Sequence, residues 1–402
     1  MQLVERHIIN PNNSIFAEID AAAFAAKNLY NAANYIMRQA YIKSNVIFDM
    51  TALYAEAKLL EAYCGLPRKV SNDVLRQLLR DWKSFREARK EYDENPSKFL
   101  GRPKLPGYKH KTDGRNLLVY DIQAISKPLL KIKQVKLSGL SFIVKSKQSD
   151  VDQVRIVPKK THYVIEVVYS TEPKPADLDY TQVAGIDLGL NNLATIASNK
   201  PGFQPVVVNG RPLKSTNQFY NKRKAELVSI LMKKDDKRRS SNRIERLTDL
   251  RTRRIDHYLH TASKRIVDLL IKEQIGMLVI GKNDGWKQEI GIGKRNNQNF
   301  VSLPHARFIE MLTYKCQLVG INVVTTEESH TSKCSFLDSE PIHHHEKYAG
   351  RRIKRGMFRS ASGKLINADL NGAYNIIKKV APGAFAKGVE DVAVHPIALA
   401  IN

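Results

Sequence analysis

The sequence predicts an α/β protein of more than one domain, whose second half is a mixed β-sheet flanked by helices. Three observations carry this expectation. The hydrophobic period switches between helical and alternating near Glu18, Leu117 and Gln182. The second half orders its elements as three strands, long helices, a strand, a helix, a strand, a polar insertion and a last helix. The chain has 402 residues, 43% of them hydrophobic, which is enough for two or three domains with buried cores.

Residues 1 to about 15 read as a short strand and turn ending in Asn10-Pro11-Asn12-Asn13. From Glu18 through Tyr63 the chain is Ala-rich, with apolar residues three and four apart, until Gly65-Leu66-Pro67 breaks the helical pattern. A second helix is expected over about 71 to 95, with Arg76, Arg80, Lys83, Arg86, Arg89 and Lys90 on its outer face. A loop rich in Pro, Gly and Lys follows, carrying Arg102 and Lys104. From Leu117 to Ser170 the period is two, as in the strands of a small β domain, and Glu172-Pro173-Lys174-Pro175 reads as a linker. Residues 182 to 198 read as strand, turn, strand, and Val206-Val207-Val208 as a third strand. A basic helical stretch runs from about 215 to 274, broken near Asp235-Asp236 and Ser240-Ser241. Met277-Leu278-Val279-Ile280 has strand length, a helix follows Pro304 to about Leu318, and residues 321 to 326 form another strand. After a polar insertion at about 334 to 363, a helix spans 369 to 379. This order suits a sheet of the ribonuclease H type.

Lys and Arg total 65 against 40 Asp and Glu, a net charge of +25. Such an excess points to a polyanionic partner, because each cation that neutralises a phosphate releases counterions. No apolar run is long enough to span a bilayer and no basic amphipathic anchor stands out, so no membrane partner is expected. Met1-Gln2-Leu3-Val4-Glu5-Arg6 lacks the features of a signal peptide, which points to a cytoplasmic protein. Cys64, Cys316 and Cys334 are far apart and form no Cys-x-x-Cys pair, which argues against a disulfide framework and a full zinc ribbon.

Two carboxylates stand out. Asp187 lies in Gly185-Ile186-Asp187-Leu188-Gly189-Leu190. A carboxylate inside an apolar strand is costly to bury unless its charge is paired, as a divalent metal would pair it. The plainer alternative is an Asp that accepts hydrogen bonds within the turn. Asp369 lies in Asn367-Ala368-Asp369-Leu370-Asn371-Gly372-Ala373-Tyr374-Asn375-Ile376, where a helix should begin, and alone it reads as an N-cap. Small Gly372 and Ala373 would let this helix end pack tightly on a sheet and bring Asp369 toward Asp187. Together the motifs favour metal ligation. In-line hydrolysis of a phosphodiester develops charge on the entering and leaving oxygens, which two Mg²⁺ ions about 3.5–4 Å apart stabilise. Mg²⁺ takes hard oxygen ligands, so two Asp and one Glu from different elements suit it.

With Thr331-Ser332, these motifs resemble the RuvC motifs of the transposon-encoded TnpB proteins, compact relatives of type V CRISPR effectors. The resemblance covers most of the chain and is specific over about 180 to 380. It implies a wedge β-barrel (1–17 and 117–176) interrupted by a helical recognition lobe (18–116). A RuvC nuclease domain (180–333 and 364–382) follows, split by a target-nucleic-acid-binding insertion (334–363), with a C-terminal tail at 383–402. It further implies an RNA-guided DNA endonuclease. A guide RNA of the omega RNA kind pairs with double-stranded DNA beside a short adjacent motif, and the RuvC site cuts with two Mg²⁺ ions, Mn²⁺ substituting. In such systems pairing reads sequence while the protein reads backbone shape. The implied particle is a ribonucleoprotein containing a monomer or weak dimer. The alternatives are a nuclease-dead RNA-guided repressor of the same family and a stand-alone RuvC-like resolvase or transposase. Retention of both Asp187 and Asp369 argues against the first, and the first 175 residues against the second.

The sequence departs from the family in two places. The family carries a catalytic Glu at the end of the fourth RuvC strand, where this chain has Val279-Ile280-Gly281-Lys282-Asn283. Relocation to Glu327 or Glu328 at the end of the next strand is one reading, since adjacent strands lie about 4.8 Å apart. Alternation puts the two glutamates on opposite faces, so one serves and the other does not. Asp284 is a weaker substitute, and a solvated strand end or loss of cleavage is the alternative. Second, the paired cysteines of the family's zinc ribbon are missing. Cys334 and His343-His344-His345 fit no standard spacing, so a surface loop without zinc is expected.

The nucleic-acid contacts expected are the basic residues of the helical lobe and its loop, together with Lys222, Arg223, Lys224, Arg238, Arg239, Arg253 and Arg254. Arg352 and Arg355 of the insertion join them, and Trp286 is a candidate for stacking on a base.

Overall fold

The computed structural model describes residues 1–233, 237–282, 303–386 and 393–401, which divide into two compact units, Met1–Thr171 and Glu172–Asn402. Asp284 and Trp286 lie outside the described residues.

The first unit opens with β1 (Gln2–Ile9) and continues through α1 (Phe16–Ser44), α2 (Met50–Ala57), α3 (Glu61–Cys64) and α4 (Arg68–Glu94). The helical pattern expected to run unbroken to Tyr63 stops at Asn45, whose left-handed backbone (φ 53°) caps α1 by donating its N–H to the Tyr41 carbonyl. Asn tolerates that conformation where most residues do not. Along α4, Val70, Val74, Leu75, Leu78 and Trp82 are buried, which leaves Arg76, Arg80 and Lys83 on the exposed face. The indole N–H of Trp82 donates to Asn34 Oδ1 of α1 at 3.0 Å, so its one polar atom is satisfied inside the core.

The alternating segment supplies β2 (Leu118–Asp121), α5 (Lys127–Lys131), β3 (Gln134–Lys136), β4 (Ile143–Lys145), β5 (Gln153–Pro158) and β6 (Tyr163–Ser170). Strands pair as an antiparallel sheet in the order β1-β6-β5-β2 and as a separate ribbon β3-β4. Gln2 lies opposite Ser170 and Ile9 opposite Tyr163, so the strand before the helices pairs with the strand that ends the unit.

The second unit is the mixed sheet the sequence predicts. Its elements are β7 (Asp179–Leu188), β8 (Asn192–Ser198), β9 (Val206–Asn209), α6 (Arg211–Met232), α7 (Asn242–Lys272), β10 (Ile275–Gly281), α8 (His305–Leu318) and β11 (Asn322–Thr326). They are followed by β12 (Arg351–Lys354), β13 (Met357–Arg359), β14 (Leu365–Asn367), α9 (Ala368–Val380) and β15 (Ile397–Ala398). The sheet order is β11-β10-β7-β8-β9-β15, with β10 parallel to both β7 and β11 and with β8 antiparallel to its neighbours. The break expected near Ser240-Ser241 is a helix start, where Ser241 Oγ accepts the Ile244 N–H at 3.4 Å.

Alternation along β7 sorts its side chains. Ala184, Ile186 and Leu188 join the core formed with Leu259, Ile266 and Leu270 of α7 and with Phe308 and Leu312 of α8. Val183 faces the other core, formed with Leu370, Ala373, Ile376 and Ile377 of α9. Asp187, four residues on from Val183 and so in step with it, therefore projects on the α9 side. The insertion, expected as a surface loop, carries the short strands β12 and β13, which pair with β14 just beyond it as a three-stranded sheet. Buried Phe358 and Ile366 pin it to the α9 core, which few apolar residues in the sequence announce.

Candidate functional site

The site is built where α9 crosses β7, and glycines set the closeness of the crossing. A Cβ on Gly185 would stand 2.5 Å from the Ala373 carbonyl oxygen, and one on Gly372 would stand 2.7 Å from Asp187 Oδ2. A side chain at either place would overpack the interface and push the helix away. Asp369 is not the helix cap that its position predicts. Asn367 takes that role, its side chain accepting the N–H groups of Asp369 at 3.0 Å and Leu370 at 3.1 Å. The Asp369 carboxylate is thereby left to face the sheet, where its Oδ2 accepts from Asn192 Nδ2 of β8 at 2.8 Å.

A third carboxylate lies just beyond β11. Its last residue, Thr326, registers with Gly281 at the end of β10. Two residues on, Glu328 turns over Gly281: a Cβ there would lie 2.6 Å from Glu328 Cγ and 2.8 Å from its Oε1. Glycine at the end of β10 thus leaves the volume that Glu328 fills. Glu327 is exposed, and its carbonyl accepts from Lys379 Nζ at 2.8 Å. The backbone after Glu328 is fixed by α9. Asn371 Oδ1 accepts the Phe336 N–H and its Nδ2 donates to the Cys334 carbonyl, both at 2.9 Å. One turn later Asn375 Nδ2 donates to the carbonyls of Thr331 at 2.9 Å and Cys334 at 2.8 Å. Thr331 Oγ1 in turn donates to the Glu328 carbonyl at 2.8 Å.

Electrostatics reflect the crowding of acids. Burial, then the nearby charges of Glu328 and Asp369, push the Asp187 carboxyl well above its usual range, against a smaller opposing pull from Arg352. Burial pushes Glu328 up to about 7. Such shifts arise where carboxylates share a site. Arg352 of β12 reaches Asp369 Oδ1 at 3.3 Å. Among the described residues, no three His, Cys, Asp or Glu side chains converge tightly enough to enclose one ion as they stand. The donor set is nonetheless three hard carboxylate oxygens in a negative, partly buried pocket, which fits Mg²⁺ or Mn²⁺ in kind.

The insertion holds itself together with a carboxylate. Glu340 is buried, its Oε2 accepting the Ser335 N–H at 2.6 Å and its Oε1 the Ala349 N–H at 2.8 Å. Cys334 Sγ is turned to the His343 carbonyl at 3.6 Å, and His345 Nε2 lies 2.8 Å from the Pro341 carbonyl.

The basic residues fall into separate groups. Arg76, Arg80 and Lys83 are exposed on α4, with Arg76 bonded to Asp73 at 2.8 Å, and Arg102 and Lys104 are exposed on the following loop. Arg80 lines a cleft of about 480 Å³ in the first unit with Lys109, Arg115 and Arg155. Lys222, Arg223 and Lys224 are exposed on α6, Arg238 and Arg239 precede α7, and Arg254 is exposed and Arg253 half-buried on α7. Arg355 is exposed at the turn after β12. Sequence reasoning missed Asn192, Asn371 and Asn375. All three lie inside or beside the aspartate motifs, and that position was the signal available.

Residues 166–287 match the family described as probable transposase, OrfB_IS605, and residues 305–376 match the Cas12f1-like TNB domain. The TnpB-like protein ORF457 of Acidianus two-tailed virus is 25% identical over 211 residues, covering 49% of this chain and 42% of that protein. The CRISPR-associated endodeoxyribonuclease Cas12f1 of Sulfoacidibacillus thermotolerans is 26% identical over 234 residues, covering 54% of this chain and 50% of that protein. The matched stretch thus spans half or less of the length of these two curated relatives. The chain also shares its fold with the Cas12f1 subunit of a Cas12f1-sgRNA-target DNA complex, with a TM-score of 0.52 and 14% identity over 90% of this chain and 82% of that one.

Proposed function

We propose that this chain, a relative of the TnpB and Cas12f1 proteins, is an RNA-guided DNA endonuclease. The observation that supports this most is the gathering of Asp187, Glu328 and Asp369 at one end of a mixed sheet. These three side chains would hold divalent cations, two Mg²⁺ in the fullest form, with Mn²⁺ as a substitute. Bound there, the cations would stabilise charge on the entering and leaving oxygens of an in-line displacement at phosphorus. The chain's own residues supply position. Asn192 aims Asp369, Gly281 admits Glu328, and Asn371 and Asn375 fix the backbone that carries it. Glu328, not Glu327, is the relocated third acid.

The β-strands of the first unit are read as the wedge, interrupted by the recognition lobe α1–α4; the pairing of β1 with β6 across that insertion supports this. Guide RNA and target DNA would be held by phosphate contacts from the basic groups on α4, α6, α7 and the insertion. The insertion folds around Glu340, whose two carboxylate oxygens accept the Ser335 and Ala349 N–H groups.

The test is Mg²⁺-dependent cutting of a target plasmid library by the ribonucleoprotein as it purifies. Cutting that Asp187→Ala abolishes supports the nuclease. RNA-directed binding that leaves the plasmid intact would remove the nuclease reading and leave a guided repressor. Absence of any bound RNA would remove both.

A further inference from the structure

Asp369 has both carboxylate oxygens engaged, by partners of different kinds. Oδ2 accepts from Asn192, a short side chain on β8 inside the main sheet, at 2.8 Å. Oδ1 is met at 3.3 Å by Arg352, whose side chain is 52% exposed and belongs to an outer strand of the small sheet. The main chain holds that strand over the site. After β12 the chain turns at Gly356 (φ 81°), whose carbonyl accepts the Ala368 N–H at 3.1 Å. Strand β13 pairs with β14, and β14 runs directly into α9. The basic strand is thus tied to the helix end that carries Asp369. Arg351, Lys354 and Arg355 lie exposed on the same hairpin and carry no opposing charge between them.

We propose that Arg352 is a resident counterion of the carboxylate site, one that holds Asp369 Oδ1 until a divalent cation is bound and then turns to a phosphate oxygen of the DNA strand. The inference rests on the nuclease reading above. An ion pair this exposed is weak, so a dication can displace it. The Asn192 bond, on the other oxygen, stays and keeps the carboxylate aimed. A guanidinium is always charged and its planar fork matches a phosphate, so the released side chain has a partner to meet. An arginine that only lined the DNA path would not need to be bonded to the acid that helps hold the cation.

The test uses the full chain and Mn²⁺, followed by electron paramagnetic resonance, with the signal lost in Asp187→Ala taken as the site. Arg352→Ala is expected to bind Mn²⁺ about two- to five-fold more tightly than the unaltered chain. Arg352→Lys keeps the charge and should stay near the unaltered value. A fluorescent DNA oligonucleotide is then titrated with and without saturating Ca²⁺. Arg352→Ala should weaken oligonucleotide binding about two- to five-fold when Ca²⁺ is present and leave it unchanged when it is absent. Mn²⁺ affinity that is unchanged or weakened in Arg352→Ala overturns the proposal. So does an oligonucleotide deficit of equal size without the cation, which would make Arg352 an ordinary phosphate contact. If the unaltered chain binds no Mn²⁺, or binds it regardless of Asp187, the metal-site reading fails and this proposal fails with it.

Discussion

The ends of β10 and β11 lie side by side in parallel and carry opposite solutions to the same problem. Strand β10 ends in Gly281, which offers no side chain at all. Strand β11 ends in Thr326, and the chain beyond it delivers Glu328 into the space above that glycine. Parallel register keeps the two ends together, so an acid can move from one strand to its neighbour and still reach the same place. The move requires that the vacated position lose its side chain, because a Cβ at Gly281 would collide with Glu328 Cγ at 2.6 Å and with Ile376 Cδ1 at 2.7 Å. Glu327, one residue earlier, has the same chemistry and is exposed, so placement rather than residue type separates the two glutamates.

The largest effect should come from Asp187, the buried carboxylate on which the Glu328 and Asp369 charges act. Asp187→Ala is expected to lower cutting by about 10³-fold or more while leaving the bound RNA in place, as measured by plasmid cleavage and RNA recovery. If cutting survives, the site is elsewhere and the comparison has no object. Gly281→Ala strikes the comparison itself. It should lower stability by about 1–3 kcal/mol through overpacking against Glu328, read by denaturant unfolding. Pairing it with Glu328→Ala should relieve much of that loss; a loss that stays would place the strain on Ile376 instead. Asn371→Leu takes the acceptor from the buried Phe336 N–H and Asn375→Ala takes the donor from the Thr331 carbonyl, and each should cost about 1–3 kcal/mol. Because both amides meet the Cys334 carbonyl, each single variant leaves it one of the two donors, and the double variant should cost more than the sum.

The smallest effect lies on the opposite face of the sheet. Burial, and secondarily Lys264, pull Lys315 down to about 8. Its Nζ donates to the His260 carbonyl at 2.7 Å and to Ser263 Oγ at 2.6 Å. Between about pH 8 and the ordinary lysine range the unfolded chain binds more protons than the folded one, so stability should rise with pH across that window. Lys315→Met should flatten the rise by under about 1 kcal/mol in denaturation curves at several pH values. Lys315 touches neither strand end, and cutting should therefore be unaffected.

Much of this was legible in the sequence, for physical reasons that can be named. The strands of the second unit declare themselves as apolar runs of strand length, and Gly372 with Ala373 announces a helix that packs close to a sheet. Other features depend on contacts that no period records. Alternation says that Glu327 and Glu328 face opposite ways but cannot say which faces inward; the register of Gly281 with Thr326 and the empty volume above the glycine decide that. Taken alone Asp369 reads as a cap, and only the contacts show that Asn367, two residues earlier, takes the helix N–H groups. The insertion reads as a loop because its strands are three or four residues long and rest on Phe358 and Ile366 for their hold on α9. Asn45 ends α1 by a left-handed turn that an otherwise continuous helical pattern conceals.

The most direct test of the central claim is Mg²⁺-dependent plasmid cutting by the ribonucleoprotein carrying Glu328→Ala, measured beside Glu327→Ala. The predicted result is a loss of about 10²-fold or more for Glu328→Ala and a change of less than about three-fold for Glu327→Ala. Equal losses, or the larger loss at Glu327, would contradict the assignment of Glu328 as the relocated acid.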